Sequence, residues 1–174
     1  MDIKELKKDE YKIFYKLFKG FELAPFFEKW TDEEIEKTFE EFMQDGLVFG
    51  LKDKGIITIL PEKRKSSILP YSEWGKFCYI SDVMVDENSR RQGIGGSLLK
   101  FALDYMKKDG WDTSYFRTNY KGSLLEPVAT KQGFKDVKDK QGNVITEEVG
   151  FLRQSGKVET DTRKYLVKEL KRKC

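Results

Sequence analysis

"SRRQGIGGSLLKFALDYMKK", residues 89–108, sets two arginines behind a serine, packs three glycines into four positions and then turns into a regular amphipathic run. Glycine inside a helix costs about 1 kcal/mol relative to alanine, so Gly93, Gly95 and Gly96 are poor helix formers where a helix begins. A helix start also leaves backbone N–H groups unpaired and carries a partial positive charge, together an anion site. Glycines let such a loop wrap a phosphate with no Cβ in the way. Arg90 and Arg91 add fork-shaped donors suited to phosphate oxygens. The segment reads as a pyrophosphate cradle; the plain alternative is a tight strand-to-helix turn with solvated arginines.

The stretch before the turn, "FCYISDVMV" (77–85), reads as a strand, and the amphipathic run as a helix to about Lys108, closed by Asp109-Gly110. Downstream, "DTSYFRT" (112–118) reads as a strand. "GSLLEPVATKQGF" (122–134) reads as a short helix, with Ser123 and Glu126 as a capping box and Pro127 in its first turn. Two strands are expected around Gln141-Gly142-Asn143, then a final helix in the tail with Tyr165, Leu166 and Leu170 on one side. Upstream, a short strand within residues 2–7 precedes a helix at about 9–19. "TDEEIEKTFEEFMQDG" (31–46) has Thr31 and Glu34 as a capping box, an apolar face of Ile35, Phe39, Phe42 and Met43, and Gly46 as its stop. "LVFGLKD" and "GIITILPE" form a hairpin turning at Asp53-Lys54-Gly55. The order is that of a mixed α/β fold: one domain over residues 1–156 and a helical tail over 157–174, packed on it or trailing from it.

Of the 174 residues 39% are hydrophobic and 36% charged, with 33 Lys+Arg against 30 Asp+Glu and a net charge of +3. That suits one soluble globular domain with room for a core, and the charge is too even for nucleic-acid binding. No apolar run approaches the ~20 residues of a membrane span. The charged start is no signal peptide, so a cytoplasmic protein is expected. Cys78 and Cys174 lack metal-ligand spacing, and no metal is expected. There is no histidine, which removes the commonest general base and every Ser-His or Cys-His nucleophile. Acid–base chemistry falls to carboxylates, Tyr, Lys, Cys or water. A homodimer is compatible with this composition.

Among phosphate loops, Walker A needs G-x-x-x-x-G-K-[ST], which is absent, and a dinucleotide fingerprint needs glycine where Leu98 stands. What remains is R-x-x-G-x-G, Arg90 to Gly95, directly after a strand ending Val83-Met84-Val85-Asp86. With "YISDVMVDENSRRQGIGGSLLKFAL" (79–103) ahead of "ATKQGF" (129–134), the chain resembles the GNAT superfamily of N-acetyltransferases. The likeness holds by order of elements over residues 45–153 and is sharpest over 79–99. It implies a central mixed, mostly antiparallel sheet with helices on both faces, splayed at the cofactor site between the strands at 77–85 and 112–118. It implies acetyl-CoA as the cofactor. Arg90 and the backbone N–H groups of Arg91, Gln92, Gly93, Ile94, Gly95 and Gly96 would hold the pyrophosphate. Val83, Met84 and Val85 would pair with the pantetheine arm, and Asn119, Gly122 and Ser123 would flank it.

Moving an acetyl group from a thioester to an amine requires an uncharged amine, a stabilised oxyanion and a protonated leaving thiol. At pH 7 only about one Lys-like amine in two thousand is free base. Asp82, a carboxylate in an otherwise apolar strand, is the candidate general base or amine contact; some family members carry an acidic pair here, and Ser81 replaces its first member. A backbone N–H near Met84 or Val85 is the candidate oxyanion donor. The family's frequent catalytic tyrosine falls on Ala129 and its frequent asparagine on Gly122, so no acid is assigned. Cys78, early in its strand and without histidine, is not a nucleophile candidate, and direct transfer in a ternary complex follows.

Two connectors mix aromatics with carboxylates, a pairing suited to a cationic amine. From them Phe27, Trp30, Tyr71, Glu73 and Trp74 are the acceptor-binding candidates, against the plain reading of core aromatics and solvated glutamates. A small polyamine, an aminoglycoside-like amine or a peptide amine would fit. Alternatives to an enzyme are a CoA-binding sensor or partner module without turnover, and a nucleotide-binding protein of another class.

Overall fold

The computed structural model describes residues 1–23, 28–152 and 155–171. Among the described residues, ten strands and four α-helices run in the order β1 (Lys4–Glu5), α1 (Tyr11–Lys19), β2 (Glu22–Leu23), β3 (Glu28–Lys29), α2 (Asp32–Asp45), β4 (Leu47–Leu51), β5 (Gly55–Pro61) and β6 (Phe77–Val85). There follow α3 (Ile94–Lys108), β7 (Thr113–Asn119), α4 (Glu126–Lys131), β8 (Lys135–Asp136), β9 (Thr146–Leu152) and β10 (Val158–Glu169). Apart from the small β2–β3 ribbon, the strands form one sheet in the order β1-β4-β5-β6-β7-β10-β8, with β9 also on β10. All its pairings are antiparallel except β6–β7. The expected mixed, mostly antiparallel sheet is present.

Local chemistry explains most elements. Thr31 Oγ1 accepts the Glu34 N–H at 3.2 Å, and the Glu34 carboxylate accepts the Thr31 N–H at 2.8 Å, so the capping box that opens α2 is formed on both sides. Phe14 of α1 meets Phe39 and Phe42 of α2 with ring centroids 5.0 and 6.0 Å apart, joining these two helices into one layer. α3 covers the opposite side through Phe101 and Tyr105, whose rings lie 5.2 and 4.9 Å from Phe49 of β4. Leu98, Leu99, Ala102 and Met106 are fully buried beneath it.

Two expectations need correction. The tail is not a helix: Val158–Glu169 forms β10, paired along one edge with β7 and along the other with β9 and β8. Val158, Thr160, Thr162, Tyr165 and Val167 are strand formers. Lys164, Tyr165 and Leu166 are buried in succession because both faces of an interior strand are covered. A boundary at residue 156 would therefore cut between two paired strands. The Ser123–Glu126 capping box is also not formed; α4 begins after Leu125 with no side-chain cap, and the Glu126 carboxylate instead takes the Lys164 ammonium at 2.6 Å. The two strands expected around Gln141-Gly142-Asn143 are present as β8 and β9, each paired with β10; a bridge, Lys138–Val144, joins the chain between them, its turn held by Asp139 accepting N–H groups of Gln141 and Asn143.

An interior strand predicts interior behaviour. Amides of residues 163–169 should exchange with solvent only through global unfolding, as read by native-state hydrogen exchange. Leu166→Ala, at a site 2% exposed, should cost about 2–5 kcal/mol in urea denaturation.

Candidate active site

β6 and β7 pair only through Phe77–Tyr79 and Thr113–Tyr115. β6 continues to Val85 and β7 to Asn119, so the strands part beyond Tyr79 and Tyr115. The cause lies on the other edge of β6. Ile59 of β5 faces Ile80 while Thr58 faces Asp82, leaving Ser81 as an extra residue. Such a bulge bends its strand and sharpens the twist, turning β6 away from β7. It also resets the alternation: Tyr79 lies opposite Leu60 and Asp82 opposite Thr58, so both side chains share the face opposite α3. Asp82 N–H donates to Thr58 Oγ1 at 3.0 Å, and Asp86 N–H to the Lys54 carbonyl at 2.8 Å. Even-numbered positions therefore turn their N–H groups to β5, and strand alternation aims those of Val83 and Val85 into the splay. Of the two oxyanion candidates, Val85 has the right direction and Met84 does not.

The turn after β6 adds a second set of free donors. Asp86 caps a single helical turn, its carboxylate accepting the Asn88 N–H at 3.1 Å. The chain then reaches α3 through two left-handed residues, Arg91 at φ 62° and Gly93 at φ 77°. Left-handed backbone costs an L side chain about 1–2 kcal/mol, a strain that Arg91 bears and Gly93 avoids. The N–H groups of residues 91–96 have no hydrogen-bond partner among the described residues, and together with the helix start they form a concavity of donors whose chemistry suits an anion. Nothing lies within 4 Å of where a Cβ on Gly93 would stand. A Cβ on Gly95 would sit 3.7 Å from Val85, an ordinary contact, which places the start of α3 against the end of β6. Arg90 is turned onto the Phe21 ring, 5.2 Å from its centre. A linear ligand with a diphosphate at one end and amides along its length fits the concavity and the adjoining strand edge. Coenzyme A has that chemistry.

Beyond β7 the expected flanking residues divide. Asn119 is committed elsewhere: its Nδ2 donates to Asp161 at 2.7 Å and its Oδ1 accepts the Lys121 N–H at 2.8 Å. Gly122 sits at φ 96°, where an L side chain is strained, and Ser123 is exposed at the turn into α4. Ala129 is fully buried.

Asp82 is half-buried beside the splay. Burial holds its carboxyl above the ordinary range, while hydrogen bonds from the Ser81 and Thr58 hydroxyls and the charge of Lys65 pull it back. Thr58 Oγ1 donates to its carboxylate at 3.2 Å. Cys78 is fully buried and its thiol is pushed up to about 12 by that burial, so no thiolate is available near neutral pH.

The connector between β5 and β6 arches over this face. Tyr71 Oη accepts the Lys65 N–H at 2.9 Å and the Ser66 N–H at 3.3 Å, and bonds Tyr115 Oη at 3.2 Å. Ser66 Oγ donates to Glu147 at 2.9 Å, and Tyr165 Oη donates to the same carboxylate at 2.6 Å. Lys65 is thereby held with its ammonium 5.4 Å from the centre of the Tyr79 ring. Arg117, two residues past Tyr115 on the same face, and Arg163 lie over Phe151 at 5.8 and 4.9 Å.

The acceptor candidates do not gather here. Tyr71 and Trp74 are core aromatics, their rings 5.1 Å apart, and Glu73 is exposed. Trp30 packs edge-on to Phe18 at 5.1 Å; Phe27 lies outside the described residues. Reading from sequence missed Thr58, Lys65, Arg117 and Arg163. The signal for Arg117 is a cation at the same period-two phase as Tyr115 in a buried strand.

The family model described as the acetyltransferase (GNAT) family matches residues 11–134. A curated relative, GCN5-related N-acetyltransferase 6, chloroplastic, from Arabidopsis thaliana, is 31% identical over 62 residues, which are 36% of this chain and 22% of that protein. Among solved structures, the ribosomal-protein-S18-alanine N-acetyltransferase from Escherichia coli superposes with a TM-score of 0.66 at 14% identity, covering 99% of this chain and 96% of that one. The NatC complex bound to Gag peptide and CoA gives a TM-score of 0.61 at 15% identity over 98% of this chain and 100% of that one. With the family model matching well over half its length, the chain belongs to the acetyltransferase (GNAT) family.

Proposed function

We propose that this chain is an N-acetyltransferase that passes the acetyl group of acetyl-CoA directly to a primary amine bound beside it. The observation that carries this reading is the unpaired β6 edge running into the free N–H groups of residues 91–96. Acetyl-CoA supplies an acetyl thioester. The chain supplies the rest. The N–H groups of residues 91–96 hold the diphosphate, and those of Val83 and Val85 pair with the extended arm. The Val85 N–H is the donor for charge that develops on the carbonyl oxygen.

Asp82 takes the proton from the amine, directly or through water, and Thr58 holds its carboxylate in place. The thiol of Cys78 plays no part, which supports attack by the amine itself. Ala129 contributes no proton to the leaving sulfur, and that proton comes from water or from the acceptor's own ammonium. The two structural relatives named above act on a protein's alanine or hold a peptide, and a peptide amine is among the acceptors that fit; tight CoA binding with no thiol release from any amine would favour a sensor module instead.

Gly93→Val forces a β-branched residue into left-handed backbone. It should weaken CoA binding at least about tenfold in calorimetry, together with a stability loss of about 1–2 kcal/mol. CoA affinity equal to the parent's would refute the cradle.

Asp82→Asn should lower turnover by about 10²–10⁴ with CoA affinity unchanged, and should remove the acidic limb of the rate profile, which lies above the ordinary Asp value of 3.8. Because the folded-state value is raised, the contribution of Asp82 favours folding below its unfolded value and is lost as pH rises through the folded one. At neutral pH the ionised group is a liability, so Asp82→Asn should melt at the same temperature as the parent or higher. A lowered melting point with unaltered turnover would make Asp82 structural.

A further inference from the structure

On the face opposite α3, beside the splay, two half-buried cations make no direct ion pair among the described residues, although Asp82 acts on Lys65 from a distance. Lys65 rests on the Tyr79 ring and Arg117 on Phe151. Among the described residues neither has a carboxylate within 4.0 Å. The nearby carboxylates are taken. Asp161 is held by Arg163 at 3.0 Å and by Asn119, and both oxygens of Glu147 accept hydroxyls, from Ser66 and Tyr165. Asp82 is tied to Thr58 and reserved for the proton.

The two cations also act on each other. The ammonium of Lys65 is held below the usual lysine range first by burial and next by the charge of Arg117. Like charges kept close under partial burial are unfavourable, and the backbones that carry this pair are both held in place. Tyr71 and Ser66 fix the backbone that carries Lys65, and Arg117 sits in a strand paired with β10. A ligand anion would relieve the repulsion and accept Arg117 in bidentate fashion.

That anion is not the diphosphate of the coenzyme. The concavity at residues 91–96 opens at α3, which packs on Val83 and Val85, whereas Lys65 and Arg117 lie on the other face with Tyr79, Tyr115 and Asp82.

We propose that the acceptor is an amine carrying an anionic group, a carboxylate or a phosphate, which Arg117 and Lys65 hold while the amine faces Asp82. This rests on the acetyltransferase reading and narrows it. Polyamines and aminoglycosides, which bring further positive charge to Lys65 and Arg117, are disfavoured, and the aromatic–carboxylate connectors do not select the amine.

The test is thiol release from acetyl-CoA with matched amines: β-alanine against β-alaninamide, O-phosphoethanolamine against ethanolamine, the C-terminally amidated peptide Ala-Glu-Ala-Ala against Ala-Gln-Ala-Ala, likewise amidated, and spermidine. The anionic member of at least one pair should exceed its neutral partner about ten- to a hundredfold in kcat/KM, mostly through KM. The three pairs separate a free carboxylate, a phosphate and an acidic peptide as its source. Arg117→Gln and, separately, Lys65→Gln on the connector should bring that ratio towards one, with the Kd for CoA within about twofold of the parent's. Equal use of charged and neutral amines, preference for spermidine, or an unchanged ratio in both variants would overturn the proposal.

If no amine releases thiol, the acetyltransferase reading fails by itself. The proposal is then judged by calorimetry with the same anionic amines in the presence of CoA. Saturable binding lost in Arg117→Gln supports it, and absence of binding overturns it.

Discussion

Everything at the site follows from one interrupted pairing. Two parallel strands in the middle of a sheet stop bonding after Tyr79 and Tyr115 while both chains run on. Unpaired backbone groups cost about 1–3 kcal/mol each when buried, so an opening of this kind closes unless something holds it. Here the holding is done from both sides. The extra residue at Ser81 twists β6 outward. On the far side, β10 pairs with the whole of β7, fixing residues 116–119 away from β6. At the point where the strands part, the Tyr79 and Tyr115 rings meet at a tilt of 50° with centroids 5.0 Å apart, and the Tyr115 hydroxyl also donates to the Lys63 carbonyl. The sheet is thus pinned at the base of the splay and open above it.

The same extra residue decides which side chain faces the opening. With regular alternation, position 82 would point with Ile80 towards α3, into the layer that packs on the glycine turn. The bulge sends Asp82 to the other face, next to Thr58 and within the field of Lys65. A carboxylate in an apolar strand is costly, and its raised proton affinity is the measure of that cost. The cost is also what suits the group to accept a proton from an amine, because a carboxylate left fully solvated is a weaker base.

Legibility in the sequence tracked locality. The capping box at Thr31 and Glu34, the hairpin at Asp53-Lys54-Gly55 and the glycine turn are each written within a few consecutive residues, and each is present in the fold. The tail misled for a physical reason. An interior strand is covered on both faces, so Lys164, Tyr165 and Leu166 form a buried run instead of an alternation, and the spacing of Tyr165, Leu166 and Leu170 coincides with a helical face. Ser123 and Glu126 have the spacing of a capping box, but Glu126 finds a stronger partner in Lys164, which only the β10 pairing brings near.

The two halves of the site differ in the same way. The proposed coenzyme half is made of main-chain N–H groups, and what it asks of the sequence is mostly the absence of side chains at one contiguous turn. That requirement is generic, and it leaves a motif. The proposed acceptor half draws on side chains from Thr58, Lys65, Asp82, Arg117 and Arg163, which come from four strands and a connector. No spacing rule joins them. Their proximity comes from the bulge, the strand order and the hydroxyl bonds that tie the connector to β7 and β9 and β9 to β10. Such an arrangement can change one side chain at a time while the backbone cradle stays as it is. Specificity for the acceptor is therefore carried where the sequence is least able to announce it, and it is read from the charges that the folded sheet brings together.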